Sequence, residues 1–297
     1  MLLSALQKSA IASLSELYPA SEARSIVLML CSSLFGTGSY TGIVDPGYEI
    51  PDTKEFDKAM ERLLKGEPIQ YVLGRCEFFS YTFNVNPSVL IPRPETELLC
   101  REAVNVLGRL QRMRGAYGKS AVPLRVVDFC TGSGCLAWSL ALSVPGVRVV
   151  ATDISEEALA VASGQPFKAL LKEKGAVAPQ FVKADLLDPS QLPEGPFDMI
   201  VSNPPYIMEE ERSIMHSNVL DWEPSIAVFA PAENPLVFYR AIAGAAGRLL
   251  HEGGGGMVEI NAALARDTLE VFKAAGLKGC EIRKDLSEKP RFIAWRV

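Results

Sequence analysis

Residues 124–144, LRVVDFCTGSGCLAWSLALSV, decide the architecture. The apolar, largely β-branched run at 124–129 reads as a buried strand and the stretch 135–144 as the start of a helix. Gly132 and Gly134 between them make the turn of an open α/β sheet. The same alternation repeats downstream. VRVVAT (147–152) precedes a helical stretch from Ser155 to Lys174, PQFVKA (179–184) precedes a polar loop, and FDMIVS (197–202) is a further strand. A helix near 235–250, a strand at MVEI (257–260), a helix over 262–274, a strand near 279–284 and RFIAWRV (291–297) complete the series. Strands alternating with helices predict a parallel sheet covered by helices. The final strand follows a short turn with no crossover helix, so it must run antiparallel.

Upstream the periodicity changes. Residues 1–75 carry apolar positions at helical spacing (Leu2, Leu3, Leu6; Ile11, Leu14, Leu17; Ile26, Val27, Leu30, Leu34) and predict a small helical domain. Over 76–92, Phe78, Phe79, Tyr81, Phe83, Val85, Val89 and Leu90 surround a polar Asn84/Asn86-Pro87-Ser88 turn, which predicts a β-hairpin linker. The remaining 93–297 form the α/β domain. Pro94 suits the first position of a helix, with Glu95 and Glu97 in its first turn.

At 297 residues and 48% hydrophobic content the chain can bury a sizeable core. Its net charge of -5 provides no global cationic field, which weighs against a dedicated nucleic-acid-binding enzyme. The six cysteines form no C-x-x-C pair and only two histidines are present, so no metal site is expected. Reduced thiols fit a cytoplasmic protein. The opening MLLSALQKSAIASL has no basic leader and no 18-residue apolar run, so neither a signal peptide nor a membrane span is indicated.

The glycine loop is where backbone passes close to a ligand with amides pointing outward. Gly132-x-Gly134-x-x-Ala137 satisfies the dinucleotide fingerprint, and Asp153 ends the next strand, where a carboxylate binds ribose hydroxyls. Glycines that merely let helix and strand pack, and an Asp153 that merely caps a helix, are the plain alternatives; Ser155 is the better-placed cap. This pair alone does not separate NAD from S-adenosylmethionine. Asp128 tips the choice, because a carboxylate opposes a pyrophosphate but suits a sulfonium and an ammonium group. Asp185, after the third strand, is either an acceptor for an adenine amino group or a solvated loop residue.

Asn203-Pro204-Pro205-Tyr206 follows the FDMIVS strand at the carboxyl edge of the sheet. An amide or aryl-amine nitrogen has its lone pair delocalised and attacks a methyl sulfonium poorly, so it must be held and oriented. An Asn oxygen and a backbone carbonyl can each accept one N–H hydrogen, aiming the lone-pair face at the methyl group. Consecutive prolines stiffen the loop and remove two donors. Tyr206 offers an aromatic face for the flat substrate group. A plain strand-ending turn is the alternative reading.

In this order, Asp128 to Ala137, Asp153, Asp185 and Asn203 to Tyr206 resemble class I methyltransferases acting on planar nitrogens. Tyr71-Val-Leu-Gly74, Glu77-Phe78, LIPRPETEL (90–98) and DLSEKPRF (285–292) extend the resemblance to the HemK/PrmC family, which methylates the glutamine of the GGQ motif in bacterial peptide-chain release factors. The resemblance implies a seven-stranded Rossmann-like methyltransferase domain, a hairpin linker and a helical N-terminal domain that helps grip the release factor. It implies S-adenosyl-L-methionine as cofactor, leaving S-adenosyl-L-homocysteine, with contacts from Asp128, Thr131, Gly132, Ser133, Gly134, Cys135, Asp153, Asp185, Leu186 and Asn203. The glutamine amide is implied to lie on Asn203, Pro204, Pro205 and Tyr206, one hydrogen accepted by the Asn203 side chain and the other by the Pro204 carbonyl. Leu186 stands where the family often has an aromatic residue.

Three other functions compete. The same tetrapeptide suits the exocyclic amine of adenine or guanine in nucleic acid. An NAD-dependent oxidoreductase would share the glycine fingerprint but has no place for Asp128 or Asn203. A non-catalytic protein retaining the cofactor fold has no use for Asn203. His216, His251 and the Glu209-Glu210-Glu211 run are given no role beyond a helix-end charge for His251 and a solvated face for the glutamates.

Overall fold

A computed structural model describes residues 1–116, 122–285 and 287–297; Leu286, within the closing DLSEKPRF segment, lies outside them. Nine strands are present among these residues: β1 Arg75–Phe78, β2 Tyr81–Asn84, β3 Arg125–Phe129, β4 Arg148–Asp153, β5 Gln180–Lys183, β6 Phe197–Ser202, β7 Leu250–Glu259, β8 Lys278–Lys284 and β9 Pro290–Arg296. Seven form one sheet in the order β5-β4-β3-β6-β7-β9-β8. β3 pairs in parallel with both β4 and β6, so the chain order reverses at β3 and opens a crevice at the carboxyl ends of these strands. β9 runs antiparallel to β7 and β8, as a strand with no crossover must.

Both faces of the sheet are apolar because successive side chains alternate sides. Val126, Val149, Met199 and Val201 join one core with Leu99, Leu107 and Leu140 from the helices Pro94–Ala116 and Cys135–Ser143. Val127, Phe129, Ile200 and Val258 join the other with Tyr239, Ile242 and Phe272 from Val237–Leu249 and Ala265–Ala274. β7 takes in the four consecutive glycines at 253–256. A β-carbon on Gly256 would run into the Trp295 ring and the Ile200 carbonyl, so the strand passes there only as glycine.

Two local expectations are revised. The hairpin turns at Phe79-Ser80, not at 84–88: both residues take positive φ (51° and 66°), and the two-residue turn connects β1 to β2. Asn86 instead makes its own turn beyond β2, its Oδ1 accepting from the Ser88 amide at 2.9 Å. The helical stretch after β4 is broken into Glu156–Ser163 and Lys168–Lys174, with Gly164 and Pro166 between them.

The contacts divide the chain into two compact units, Met1–Arg75 with Met215–Trp222, and Cys76–Ile214 with Glu223–Val297. The first is helical, with Leu3, Leu14, Val27, Leu30 and Leu63 fully buried in its core. Within it Tyr18 stacks on His216 at 5.7 Å and accepts from Asn218 Nδ2 at 2.7 Å. No described helix is long and apolar enough to cross a membrane.

Candidate active site

A cleft opens at the carboxyl ends of β3, β4 and β6. Of the residues singled out from sequence, Thr131, Gly132, Ser133, Cys135, Asp153, Asp185, Leu186, Asn203 and Pro205 line it together. The glycine loop is held from below: the Thr131 amide donates to Thr152 O at 2.9 Å, and the Gly132 amide donates to Asp153 Oδ2 at 2.8 Å. Asp153 Oδ1 accepts from the Ser155 amide at 3.0 Å, while Ser155 caps the following helix through Ala158. Each Asp153 oxygen keeps a second lone pair for a ligand hydroxyl. Burial pushes the Asp153 carboxyl above its usual range, and its backbone hydrogen bonds oppose that shift. At Asp185 one oxygen is occupied by the Leu187 amide at 2.8 Å. Ile154, Leu186, Leu187, Ile226 and Phe238 supply apolar wall.

Asp128, Gly134, Pro204 and Tyr206 do not line the cleft. Asp128 is fully buried, its Oδ2 accepting from the Thr131 hydroxyl at 2.6 Å and its Oδ1 without a partner. Burial raises its carboxyl to about 7, the Thr131 hydrogen bond pulling the other way. Such an unbalanced carboxylate suits a cationic centre in the loop above it. Gly134, at φ 78°, packs the helix start: a β-carbon there would lie 3.1 Å from both Ala162 and Trp138. At Gly132 (φ 52°) an added β-carbon would meet nothing within 4 Å, so no protein atom packs against that face of the loop. Tyr206 packs against the core on the Tyr239 side of the sheet and donates its hydroxyl to Glu259 Oε1 at 2.9 Å, so its ring anchors the loop and does not face the cleft.

Around Asn203 a buried network appears that the motif alone did not reveal. Asn203 Nδ2 donates to Thr96 Oγ1 at 3.1 Å, and the Thr96 hydroxyl donates to Glu259 Oε2 at 2.6 Å. Thr96 and Glu259 are 1% and 2% exposed. Burial raises the Glu259 carboxyl, while hydrogen bonds from Thr96 and Tyr206 hold it down. Behind it, Tyr239 donates to the Glu259 carbonyl at 3.2 Å, and Asn261 Nδ2 bridges Tyr206 O (3.2 Å) and Glu211 Oε2 (2.6 Å). Glu211 is thus a brace for the loop and not part of a solvated face. Thr96 stands between Glu95 and Glu97, whose own contacts are structural. Glu97 accepts from the Phe79 amide at 3.0 Å, and Glu95 lies 3.7 Å from Arg291.

Two more residues, to which the sequence assigned no site role, line the cleft. Arg93 is held at 2.5 Å by Glu223, a buried carboxylate that also accepts from the Ile91 amide. Cys130, at φ 57°, turns the chain out of β3 and keeps its thiol protonated through burial. His251, expected at a helix end, stands in β7 with its Nε2 on the buried Asp198 at 2.5 Å, away from the cleft lining.

The chain is similar to known proteins. The model of the methyltransferase small domain matches residues 119–220 and that of the PrmC N-terminal domain matches residues 5–74. A release factor glutamine methyltransferase from Bacteroides thetaiotaomicron is 36% identical over 95% of each chain. Another, from Chlorobaculum tepidum, is 40% identical over 69% of this chain and 66% of its own length. The crystal structure of a release factor-specific protein-(glutamine-N5) methyltransferase from Alicyclobacillus acidocaldarius has a TM-score of 0.40 and 30% identity, covering 72% of this chain and 98% of that one. With a relative of that identity matched over nearly its whole length, the chain belongs to the release factor glutamine methyltransferase family.

Proposed function

We propose that the chain transfers a methyl group from S-adenosylmethionine to the side-chain amide nitrogen of the glutamine in the GGQ motif of peptide-chain release factors. The observation that carries this reading is the orientation of Asn203: its NH₂ group is committed to Thr96, which leaves Oδ1 as the acceptor at the cleft. The residues present fit the cofactor. Asp153 and Asp185 offer acceptors beside apolar walls that suit an adenosine, and the unpartnered Asp128 Oδ1 lies below the loop where a positive centre is needed. When bound, S-adenosylmethionine supplies an electrophilic methyl group.

The chain's own work is orientation. The glutamine NH₂ donates one hydrogen to Asn203 Oδ1, and the carbonyl of Pro204, a residue set between the cleft-lining Asn203 and Pro205 without lining the cleft itself, is proposed to accept the other, which would fix the amide plane and expose the nitrogen face. The buried Pro204-Pro205 pair holds that carbonyl rigidly. Once methylated, the nitrogen would be acidic and would shed its proton to water, so no strong base is required beforehand. The helical unit, matched by the PrmC N-terminal model, is proposed to grip the release factor, and the six unpaired cysteines accord with work in the cytoplasm.

The test is methyl transfer from labelled S-adenosylmethionine to a release factor, to its GGQ Gln→Ala form, and to DNA and RNA. Label is expected on the intact factor alone; label on nucleic acid but not on the factor overturns the reading. Asn203→Ala is expected to lower kcat by about 100-fold or more while S-adenosylhomocysteine affinity stays within about threefold. Near-normal turnover in that variant rules out the amide clamp.

A further inference from the structure

We propose that Glu259 and Thr96 are positioning residues that set which end of the Asn203 amide faces the substrate, so that its carbonyl oxygen and not its NH₂ group meets the reacting nitrogen. This rests on the amide-methylation reading above and deepens it. An asparagine clamp has an inherent ambiguity. Its oxygen and nitrogen are nearly the same size, and a flipped amide would present two donors to a substrate nitrogen that itself carries two donors. Something must forbid the flip.

Hydrogen-bond direction provides it. An ionised carboxylate only accepts. Glu259 receives two hydroxyls, Thr96 on Oε2 at 2.6 Å and Tyr206 on Oε1 at 2.9 Å, and each hydroxyl has one proton to give. Burial holds the Tyr206 phenol well above its usual range, so it remains a donor. With its proton spent on Glu259, the Thr96 oxygen can only accept. The side-chain atom of Asn203 beside it must therefore be Nδ2, at 3.1 Å, and Oδ1 is turned the other way. The carboxylate's remaining surroundings are Glu95 and Arg291, the latter braced by Asp285 at 2.7 Å, and Tyr239 on its backbone carbonyl.

The placement is costly without such a purpose. Glu259 ends β7 between Val258 and Ile260, both fully buried, and a carboxylate there forgoes water for two hydroxyls and an indirect cation. Replacing it by glutamine keeps the shape but no longer fixes the direction, because one of the two ends is then a donor. A glutamine NH₂ beside Thr96 would donate to the hydroxyl, which would then send its own proton to Asn203 and reverse the clamp.

Two measurements on the full chain test this. The first is the side-chain amide signal of Asn203 by nitrogen-15 NMR, assigned by its loss in Asn203→Asp, without any methyl acceptor. One amide proton is expected to exchange at least about tenfold more slowly than a free amide, protection that Thr96→Val removes and Thr96→Ser keeps. The second is labelled transfer to a release factor. Thr96→Val is expected to lower kcat about 100-fold and Glu259→Gln at least about tenfold, with KM and S-adenosylhomocysteine affinity within about threefold, whereas Thr96→Ser retains at least about a third of kcat. Protection that survives Thr96→Val, or kcat in Thr96→Val within about threefold of the unaltered chain, overturns the proposal. If Glu259→Gln does not fold, the Thr96 pair decides alone. If the unaltered chain leaves the release factor unlabelled, the substrate reading falls and the amide protons decide the positioning role by themselves.

Discussion

Gly132 and Gly134 stand two residues apart in one loop, both at positive φ, and serve different ends. Alanine at either pays a left-handed backbone penalty of about 1 kcal/mol. At Gly134 the new methyl also presses on Ala162 and Trp138 at 3.1 Å, so Gly134→Ala is expected to lose about 2–3 kcal/mol by urea denaturation. At Gly132 it meets no protein atom within 4 Å and projects from a cleft-lining residue. Gly132→Ala should therefore cost only about 1 kcal/mol in stability yet weaken S-adenosylhomocysteine about tenfold in calorimetry. The spacing of the two glycines showed a turn, but only the packed environment separates their roles. The same holds for the proposed clamp: Asn203 stands out in the sequence because a strand end and a glycine loop surround it, whereas Thr96 and Glu259 lie 107 and 56 positions away and meet it only through the fold. Asp128 adds a titration to this loop. Its carboxyl, ordinarily at 3.8, is raised to about 7 by burial. A raised value means that the stability from the neutral form is complete below pH 3.8 and lost as pH climbs through about 7. The melting temperature of Asp128→Asn minus that of the unaltered chain should rise from pH 5 to 8 in the absence of ligand. A flat difference would show that Asp128 is not buried in the way described.

At the scale of elements, the sheet was readable because its strands are short, β-branched and separated by helices, and because the last strand has no crossover to make it parallel. The hairpin was readable as existing but misplaced by several residues. Its turn, Phe79-Ser80, contains none of the residues that advertise positive φ; it is held by a distant group, the Glu97 carboxylate on the Phe79 amide. A second long-range tie fastens the other end of the hairpin. Gln165, in the break between the two helices after β4, mimics a neighbouring strand: its Oε1 accepts from the Asn84 amide at 2.8 Å and its Nε2 donates to the Asn84 carbonyl at 2.9 Å. The same Nε2 also reaches Ser133 O in the glycine loop at 3.1 Å. One side chain thus couples the hairpin to the glycine loop. Gln165→Ala removes three hydrogen bonds at a largely buried position, for an expected loss of about 3 kcal/mol in urea denaturation. Amide exchange should accelerate in both 81–85 and 131–134 while the core strands β3 and β6 keep their protection. Faster exchange in the hairpin alone would mean that the two loops are not coupled through this residue.

For the whole molecule, the informative segment is Met215–Trp222, which follows the tetrapeptide's loop in sequence yet packs with the helical unit. Periodicity did not disclose this, because EEERSIMHSN looks like an ordinary polar loop and its partners are about 200 positions earlier. The tie is chemical as well as steric. The Tyr18 hydroxyl accepts from Asn218 Nδ2 at 2.7 Å, the Tyr18 ring stacks on His216, and Asn218 Oδ1 is buried with no partner of its own. Asn218 therefore depends on a single hydroxyl. Tyr18→Phe keeps the ring, its stacking and its place in the helical core, but leaves the half-buried Asn218 NH₂ without its acceptor, a cost of about 1–2 kcal/mol. Because 1.4 kcal/mol is about a factor of ten in an opening equilibrium, amides of 215–222 should exchange about tenfold faster in this variant. Exchange in Leu3–Leu14 and Ala20–Phe35 should change by less than about threefold, since their apolar contacts are intact. An equal acceleration throughout the helical unit would mean that Met215–Trp222 is an inseparable part of that core and opens only with it. Acceleration confined to the segment would instead identify a separately releasable strap, contributed to the helical unit by the stretch of chain that follows the Asn203–Tyr206 loop.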